Sequence, residues 1–596
     1  MPYRSPVADI LFSLNAVAGL REMLDSGIAG DLDWDAVSAV IGEAGRFATN
    51  EIAPLNRAGD LAGARYENGA VTMPGGFGDV YRHWAEAGWG GVSASAEYGG
   101  MGLPHLVNVA CTEIWNGASM SFALCPLLTE GAIGALKAFG SQELRNAYLP
   151  SMVSGRWTGT MNLTEPQAGS DLGAVKTRAE RAEDGTYRLF GQKIFITYGE
   201  HDMAENIVHL VLARLPGAPA GTRGLSLFVA PKFLLRSDGT PGERNDLRCA
   251  GIEHKLGIHA SPTCVMIYGE SQGAKAWLVG EEHRGLTAMF VMMNAARLGV
   301  GTQGVAIGER AYQQALSFAR DRRQGRGPKG DDGMSPIIEH ADVQRMLMTM
   351  KANVQAARGI CHLTAAALDL ASHGRTSSER TAAANRSALL TPIAKAFSTQ
   401  IGDETASLGV QIHGGMGFIE ETGAAQHMRD SRIAAIYEGA NGVQAIDLVQ
   451  RKLPLAGGET VAEEIAGIRA VASEVSERGG SDFGAVAARV SEAADALDEA
   501  TSAMLRWSAS DEQSALAGAS QYLRLFGLAL GGACLAKVGL AAQALVDSSN
   551  NAEWGRIGLA RFFAEKVATE APGLARAIAT GAAPLQSYQA ILADSA

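Results

Sequence analysis

The sequence predicts an α+β protein: a helical block, a compact antiparallel sheet or barrel, a second helical block and an extra helical block, in that order along 596 residues. Three observations predict it. Around Trp157 the apolar pattern shifts from helical spacing to short runs rich in aromatic and β-branched residues. Near Gly285 long helical periodicity returns. Hydrophobic residues make up 47% and charged residues 19%, with 72 glycines, a composition that excludes disorder over most of the chain. The length fits two to four folded units and a core that needs no disulfide or metal staple.

The expected boundaries are an N-terminal extension over 1–34, an α-helical domain over 35–157, a β domain over 158–282, a helical domain over 283–453 and an extra helical domain over 460–596. The first helical zone is interrupted by SASAEYGGMGLPH at 93–105, whose glycines and proline resist a helix. In the β zone, WTGTMNLTE, YRLFGQKIFIT, AENIVHLVLARL, RGLSLFVAPK and SPTCVMIYG read as strands, and Glu183-Asp184-Gly185 as a hairpin turn. In the third zone, Val343, Met346, Leu347, Met350 and Val354 mark a helix that Asp342 is expected to cap. Pro392 is expected in the first turn of another, where its missing N–H does no harm. RKLPLAGGET, at 451–460, reads as a linker.

A net charge of −12 argues against a general grip on nucleic acid or an anionic membrane. Six scattered cysteines without a CxxC pair point to a reducing, cytoplasmic setting. Asp9 and Asn15 spoil the N-terminus as a signal-peptide core. The most membrane-like segment, Leu523 to Leu545, has only 12 uncharged residues between Arg524 and Lys537, against about 20 for a spanning helix. A buried core helix is expected there, with no membrane insertion.

Gly299-Val-Gly301-Thr-Gln-Gly304 matches GxGxxG, but MFVMMNAAR before it favours a helix, whereas a dinucleotide loop needs a strand. Close helix packing is the expected reason for these glycines. No zinc motif, nucleophile elbow or P-loop stands out, so no metal site is expected. LTEPQAGSD, from Leu163 to Asp171, offers N–H and hydroxyl donors that can cradle a phosphate or a polar ring edge. Twenty-two residues later, Lys193-Ile-Phe-Ile-Thr197 offers an aromatic face and a hydroxyl. Each alone is equally an ordinary turn or strand. QIHGGMGF, from Gln411, has glycines at 414 and 415 that permit close approach of a ligand. Glu438 sits in the apolar loop IAAIYEGANG, where a carboxylate is either solvated or functional; burial would suit it to act as a base.

These segments, in this order, resemble the acyl-CoA dehydrogenase family over about residues 35 to 455. LTEPQAGSD, GQKIFIT, the Lys255-Leu-Gly257…Ser261 turn, QIHGGMGF and IYEG carry the resemblance together. EIAPLNRAGD, YGEHD, the N-terminal YRSPVADILFSL and the helices after 460 are similar to a longer branch of that family, which includes 3-methylmercaptopropionyl-CoA dehydrogenase. The resemblance implies FAD and α,β-dehydrogenation of an acyl-CoA thioester. Glu438 would remove the α-proton, and the β-hydrogen would pass as hydride to flavin N5. The thioester oxygen would be held by the base's own N–H and a ribityl hydroxyl. Leu163 and Thr164 would contact the flavin edge, Ser170 the pyrophosphate, Phe195 the ring where a Trp is usual, and Thr197 the region near N5. Arg322, Gln411, Gly414 and Gly415 would serve the FAD of a neighbouring subunit, which implies a homodimer. Ser170, Asn294, Arg297 and Gly439 would contact the substrate. Electrons would leave to an electron-transfer flavoprotein.

Some members place the base one residue before the arginine matched by Arg297; here that residue is Ala296, which cannot take a proton. Two departures bear on FAD affinity. Ala440 replaces a common threonine, and Gly442 a polar residue. The spacing after Arg322 is also one residue short. Alternatives are an acyl-CoA oxidase using O2, and a non-catalytic or nucleic-acid-associated flavoprotein. The block from 454 onward carries 17 acidic and 10 basic residues, unsuited to binding duplex. It is expected to be a packing domain. Candidate substrates are 3-methylthiopropionyl-CoA and short- to long-chain fatty acyl-CoAs.

Overall fold

The computed structural model describes residues 3–327, 333–546 and 551–593. The chain divides into two compact units, one of residues 44–299 with 2–5, the other of 6–43 with 300–596.

The first unit starts with helices and a hairpin of β1 (Arg65–Glu67) and β2 (Ala70–Thr72) that the helical reading of this zone did not anticipate. Its larger strands are β3 (Trp157–Asn162), β4 (Arg178–Arg181), β5 (Tyr187–Thr197), β6 (Asn206–Arg214) and β7 (Leu225–Pro231). A small hairpin of β8 (Phe233–Leu235) and β9 (Pro241–Arg244) follows, then β10 (Leu247–Ile252), β11 (Thr263–Tyr268) and β12 (Ala274–Val279). β4 and β5 form the expected hairpin across Glu183-Asp184-Gly185. β4 pairs with both β5 and β6, so β5, β12, β7, β6 and β4 close into a barrel-like ring. Two pairings in the expected antiparallel barrel differ: β3 and β4 both run parallel to β6. The chain between β3 and β6 makes a long crossover, and a crossover returns a strand in the same direction. β6 is buried on both faces, with Val208, Leu210 and Leu212 in one apolar cluster and Val211 and Ala213 in another.

The second unit is built on three long helices, Gly285–Asp321 (from residue 300), Ala341–His373 and Ser377–His413. The GVGTQG segment lies inside the first of them, as expected for a packing motif. A Cβ on Gly301 would come within 2.5 Å of the Ala394 carbonyl oxygen, and one on Gly304 within 2.2 Å of that of Ser398. Gly402 answers from the other side, where a Cβ would stand 2.6 Å from the Gly304 oxygen. Only hydrogens fit there, so the two backbones touch.

Three local expectations give way. Pro392 lies deep inside the 377–413 helix, because Thr376 caps that helix sixteen residues earlier by accepting from the Glu379 N–H. Asp342 is not the cap: the 341–373 helix already starts at Ala341, and Asp342 sits in its first turn accepting from Arg345. The expected linker is a tight joint of short helical turns, reversed by left-handed Ala456, Gly457 and Gly458.

After that joint the extra block packs closely. Gly527 in helix Glu512–Gln543 faces the Phe397 ring at 2.2 Å from where its Cβ would stand, and Gly359 faces Cys534 at 2.7 Å. Arg386 forks onto Glu464, and Asp9 of the N-terminal helix accepts from both Lys351 and Arg556. By length and composition, helices Met120–Phe139 and Glu512–Gln543 could each cross a membrane; their most apolar stretches are 67% and 83% buried within the protein. The second is the core helix expected around Leu523.

Two fully buried histidines make the β unit sensitive to acid. The Met203 N–H donates to His201 Nδ1, so the proton sits on Nε2 and goes to the Thr158 hydroxyl at 2.9 Å. Burial, reinforced by the Lys232 charge, pulls both His201 and His209 down to about 3. Below about pH 6.5 the unfolded chain binds protons that these rings refuse, so stability falls with pH by about 1.4 kcal/mol per unit for each ring. The loss continues until the folded values near 3 are reached. Thermal melts between pH 7.5 and 5 should therefore show Tm falling once the pH passes about 6.5. A level Tm across that range would contradict this origin of acid lability.

Candidate active site

In the β unit, the LTEPQAGSD loop leaves β3 and folds back on itself, with Glu165 and Ala168 exchanging backbone hydrogen bonds. Its organiser is a residue the motif reading did not single out. Glu165 is buried and accepts from Lys193 Nζ at 2.8 Å, from the Lys176 and Thr177 N–H groups, and from the Gln167 amide. Lys193, on β5 and fully buried, also donates to the Leu163 carbonyl. Burial pushes the Glu165 carboxyl up, but Lys193 and the backbone donors outweigh it and hold it at about 2. Burial brings Lys193 down to about 8 against the pull of Glu165. The pair stays ionised at neutral pH. Within its own strand segment Lys193 gives no sign of this pairing, because the carboxylate it meets lies 28 residues away.

The pair, with the bond from the Ile194 N–H to the Thr164 carbonyl, fixes the loop against β5. Leu163 is buried, Thr164 half-buried and Ser170 exposed. The β11–β5 ladder slips between Cys264 and Met266, and Phe195 beside the slip takes φ +59° and is 58% exposed. A bulky residue there is strained by on the order of 1–3 kcal/mol, the kind of cost functional sites retain. Thr197 ends the strand half-buried, its carbonyl accepting from Thr160. The Ile194 bond thus places Thr164 beside the strand that carries Phe195 and Thr197. On the 285–321 helix, Arg297 is buried and donates to the exposed Asn294 at 3.1 Å, while Ala296 is buried in the core.

In the helical unit, Glu438 is half-buried with φ +53°, followed by Gly439 at +92°. Its neighbours are held on both flanks. The Tyr437 hydroxyl donates to the Gln303 side-chain Oε1, and Asn441 is tied to Lys395, Thr399 and Ala396. Gln303, Lys395 and Asn441 were not legible as site residues; Gln303 is hidden inside the GxGxxG look-alike and Lys395 inside a helical run. Ala440 precedes the Asn441–Asp447 helix without a side-chain cap. A threonine there would add about 1 kcal/mol. Arg322 and Gln411 are exposed at the ends of their helices. Gly414 turns left-handed at φ +59°, and neither it nor Gly415 has an atom within 4 Å of where a Cβ would stand.

Residues 36–156, 160–270 and 283–453 match the N-terminal, middle and C-terminal domains of acyl-CoA dehydrogenases, and 460–588 an "Acetyl-CoA dehydrogenase C-terminal like" domain. The chain belongs to the acyl-CoA dehydrogenase family. A 3-methylmercaptopropionyl-CoA dehydrogenase of Ruegeria pomeroyi is 48% identical, over 96% of this chain and 97% of its own length. A butyryl-CoA dehydrogenase of Syntrophomonas wolfei is 33% identical over 95% and 93%. The solved Caenorhabditis elegans ACDH-11 complex with C11-CoA shares the fold at TM-score 0.74, with 21% identity, over 94% of this chain and 91% of that one. This acyl-CoA dehydrogenase is an FAD-dependent oxidoreductase. In the β unit the residues fit that cofactor: an exposed aromatic residue at Phe195 and hydroxyls at Thr164, Ser170 and Thr197.

Replacing Lys193 with Met should strand a buried carboxylate and cost about 3–5 kcal/mol, whereas Lys193→Met with Glu165→Gln should recover much of it. Denaturant melts of the flavin-loaded protein check this. Equal losses in the single and double variants would deny the pair its role.

Proposed function

We propose that this acyl-CoA dehydrogenase converts an acyl-CoA to its trans-2-enoyl-CoA with Glu438 as the base. The observation that carries it is the Glu438 loop: a half-buried carboxylate on left-handed backbone, anchored at both neighbours, with Ala296 at the alternative base position. A thioester α-proton is weakly acidic, so its removal needs a base fixed within hydrogen-bond reach and a donor for the enolate oxygen. Glu438 supplies the first, and its own N–H is assigned to the second. FAD, when bound, supplies the acceptor for the β-hydride. Leu163, Thr164 and Thr197 hold the ring edge, Phe195 covers the ring, and Ser170 binds the pyrophosphate. Asn294, Arg297, Ser170 and Gly439 orient the acyl-CoA. Arg297, buried and already braced by Asn294, presents a fixed charge for that task.

The preferred substrate class is 3-methylthiopropionyl-CoA, supported by the 48% identical relative, with short-chain acyl-CoAs such as butyryl-CoA next. Electrons pass to an electron-transfer flavoprotein in the cytoplasm, a setting that six free cysteines support. The working form is a homodimer in which Arg322, Gln411, Gly414 and Gly415 serve the partner's FAD. Beside these glycines, Met416, Phe418 and Ile419 are exposed, Phe418 by 85%, as expected of a face that a second copy covers.

Anaerobic mixing with an acyl-CoA panel should bleach the flavin of the wild-type protein. Glu438→Gln should retain FAD and lose at least about 10²–10⁴-fold in bleaching rate, the scale of a general base. Undiminished bleaching by that variant would remove Glu438 from the mechanism. Phe418→Asp should shift the protein toward monomer in light scattering and lower its FAD content; a full-strength dimer with full flavin would exclude this face.

A further inference from the structure

The backbone at Glu438 and Gly439 occupies a conformation that side-chain-bearing residues rarely adopt, so something outside the loop must hold it. Ala440, the residue just before the next helix, has no hydroxyl to cap that helix. The hold comes from Asn441. Its Oδ1 accepts from Lys395 Nζ at 3.0 Å and from the Thr399 hydroxyl at 3.2 Å, and its Nδ2 donates to the Ala396 carbonyl at 3.2 Å. Lys395 has only donors to offer and the Ala396 carbonyl only accepts, so the amide has one allowed orientation. Lys395 is fully buried, and an ammonium in that setting is retained only where it is bonded and used.

Three residues, 438 to 440, therefore span two anchors: Tyr437 on Gln303 and Asn441 on Lys395. Both anchors stand on helices whose backbones touch at Gly301, Gly304 and Gly402, so their spacing is set by the least deformable contact nearby. A span this short transmits any shift of an anchor to the carboxylate.

Taking Glu438 as the base, as in the reading above, we propose that Asn441 and Lys395 are positioning residues that fix its carboxylate for α-proton removal without touching substrate or flavin. Misplacing a reacting group by about 1 Å can cost about 10²-fold in rate. Loss of this hold should therefore slow proton removal while acyl-CoA binding persists.

The test is exchange of the acyl-CoA α-protons with D2O, followed by NMR on the flavin-loaded protein, using whichever acyl-CoA bleaches the wild-type flavin best. Asn441→Ala should slow exchange and kcat together by about 10–100-fold, with KM and FAD content little changed. Asn441→Asp, which keeps the acceptor for Lys395, should restore most of the rate. Lys395→Met should lose as much as Asn441→Ala, and the double variant no more than either, because the two act through one bond. Exchange by Asn441→Ala within twofold of wild type would overturn the proposal, as would losses in the double variant that multiply. Should either variant fail to keep its flavin, Thr399→Val removes one donor at equal volume; unchanged exchange in it would also overturn the proposal. A wild-type protein that neither bleaches nor exchanges with any acyl-CoA overturns the base assignment itself, and this inference with it.

Discussion

The helical half of this protein depends on the contact between two long helices at Gly301, Gly304, Ser398 and Gly402, where backbone meets backbone. Any Cβ at these glycines would sit at or under about 2.6 Å from a carbonyl oxygen, so no larger residue fits without moving a helix. Interiors packed this closely transmit displacement instead of absorbing it. Gln303 leaves one helix at that crossing, and Lys395 and Thr399 leave the other. The loop that carries Glu438 is held between them, and its strained backbone persists because the helices beneath it cannot separate.

The β half solves a different problem. A loop rich in turn residues must present hydroxyls and N–H groups outward without collapsing, and its interior must satisfy a lysine on β5. Glu165 does both, gathering Lys193 and three other donors into one buried carboxylate. Such a pair adds little net stability compared with an apolar core, but breaking it is severe, so it fixes geometry more than it contributes energy. The slip in the ladder beside it releases Phe195 from the regular alternation and turns its ring outward.

The N-terminal helix and the extra C-terminal block are part of the same compact unit as the long helices. Asp9 links Lys351 and Arg556, and Lys351 and Arg358 share Glu309, so elements from three parts of the chain meet in one charged cluster. Burial opposes the charge on Asp9, and Lys351 and Arg358 more than compensate, holding its carboxyl far below the usual range. The acidic composition of the block is thus partly consumed in internal pairs such as Arg386–Glu464 and Arg524–Glu570.

Sequence alone determined the order of helical and sheet zones, because hydrophobic period is a local property that survives without tertiary context. It also singled out Glu438 and the glycines at 414 and 415, which sit in short motifs whose residue types are unusual for plain turns. It misjudged Asp342 by one residue at a helix start, and misjudged Pro392 and the pairing of β3, where the deciding feature lies farther along the chain: the cap at Thr376 and the crossover to β6. The supporting residues were decided only by tertiary structure. Lys193, Gln303, Lys395 and Asn441 look ordinary in their own segments, and their meaning comes from a carboxylate, a phenol, an amide and an ammonium that reach them from far along the chain. Hydrogen bonds of that range leave no periodic trace in a sequence, whereas the packing of glycine against backbone leaves only a pattern that resembles something else.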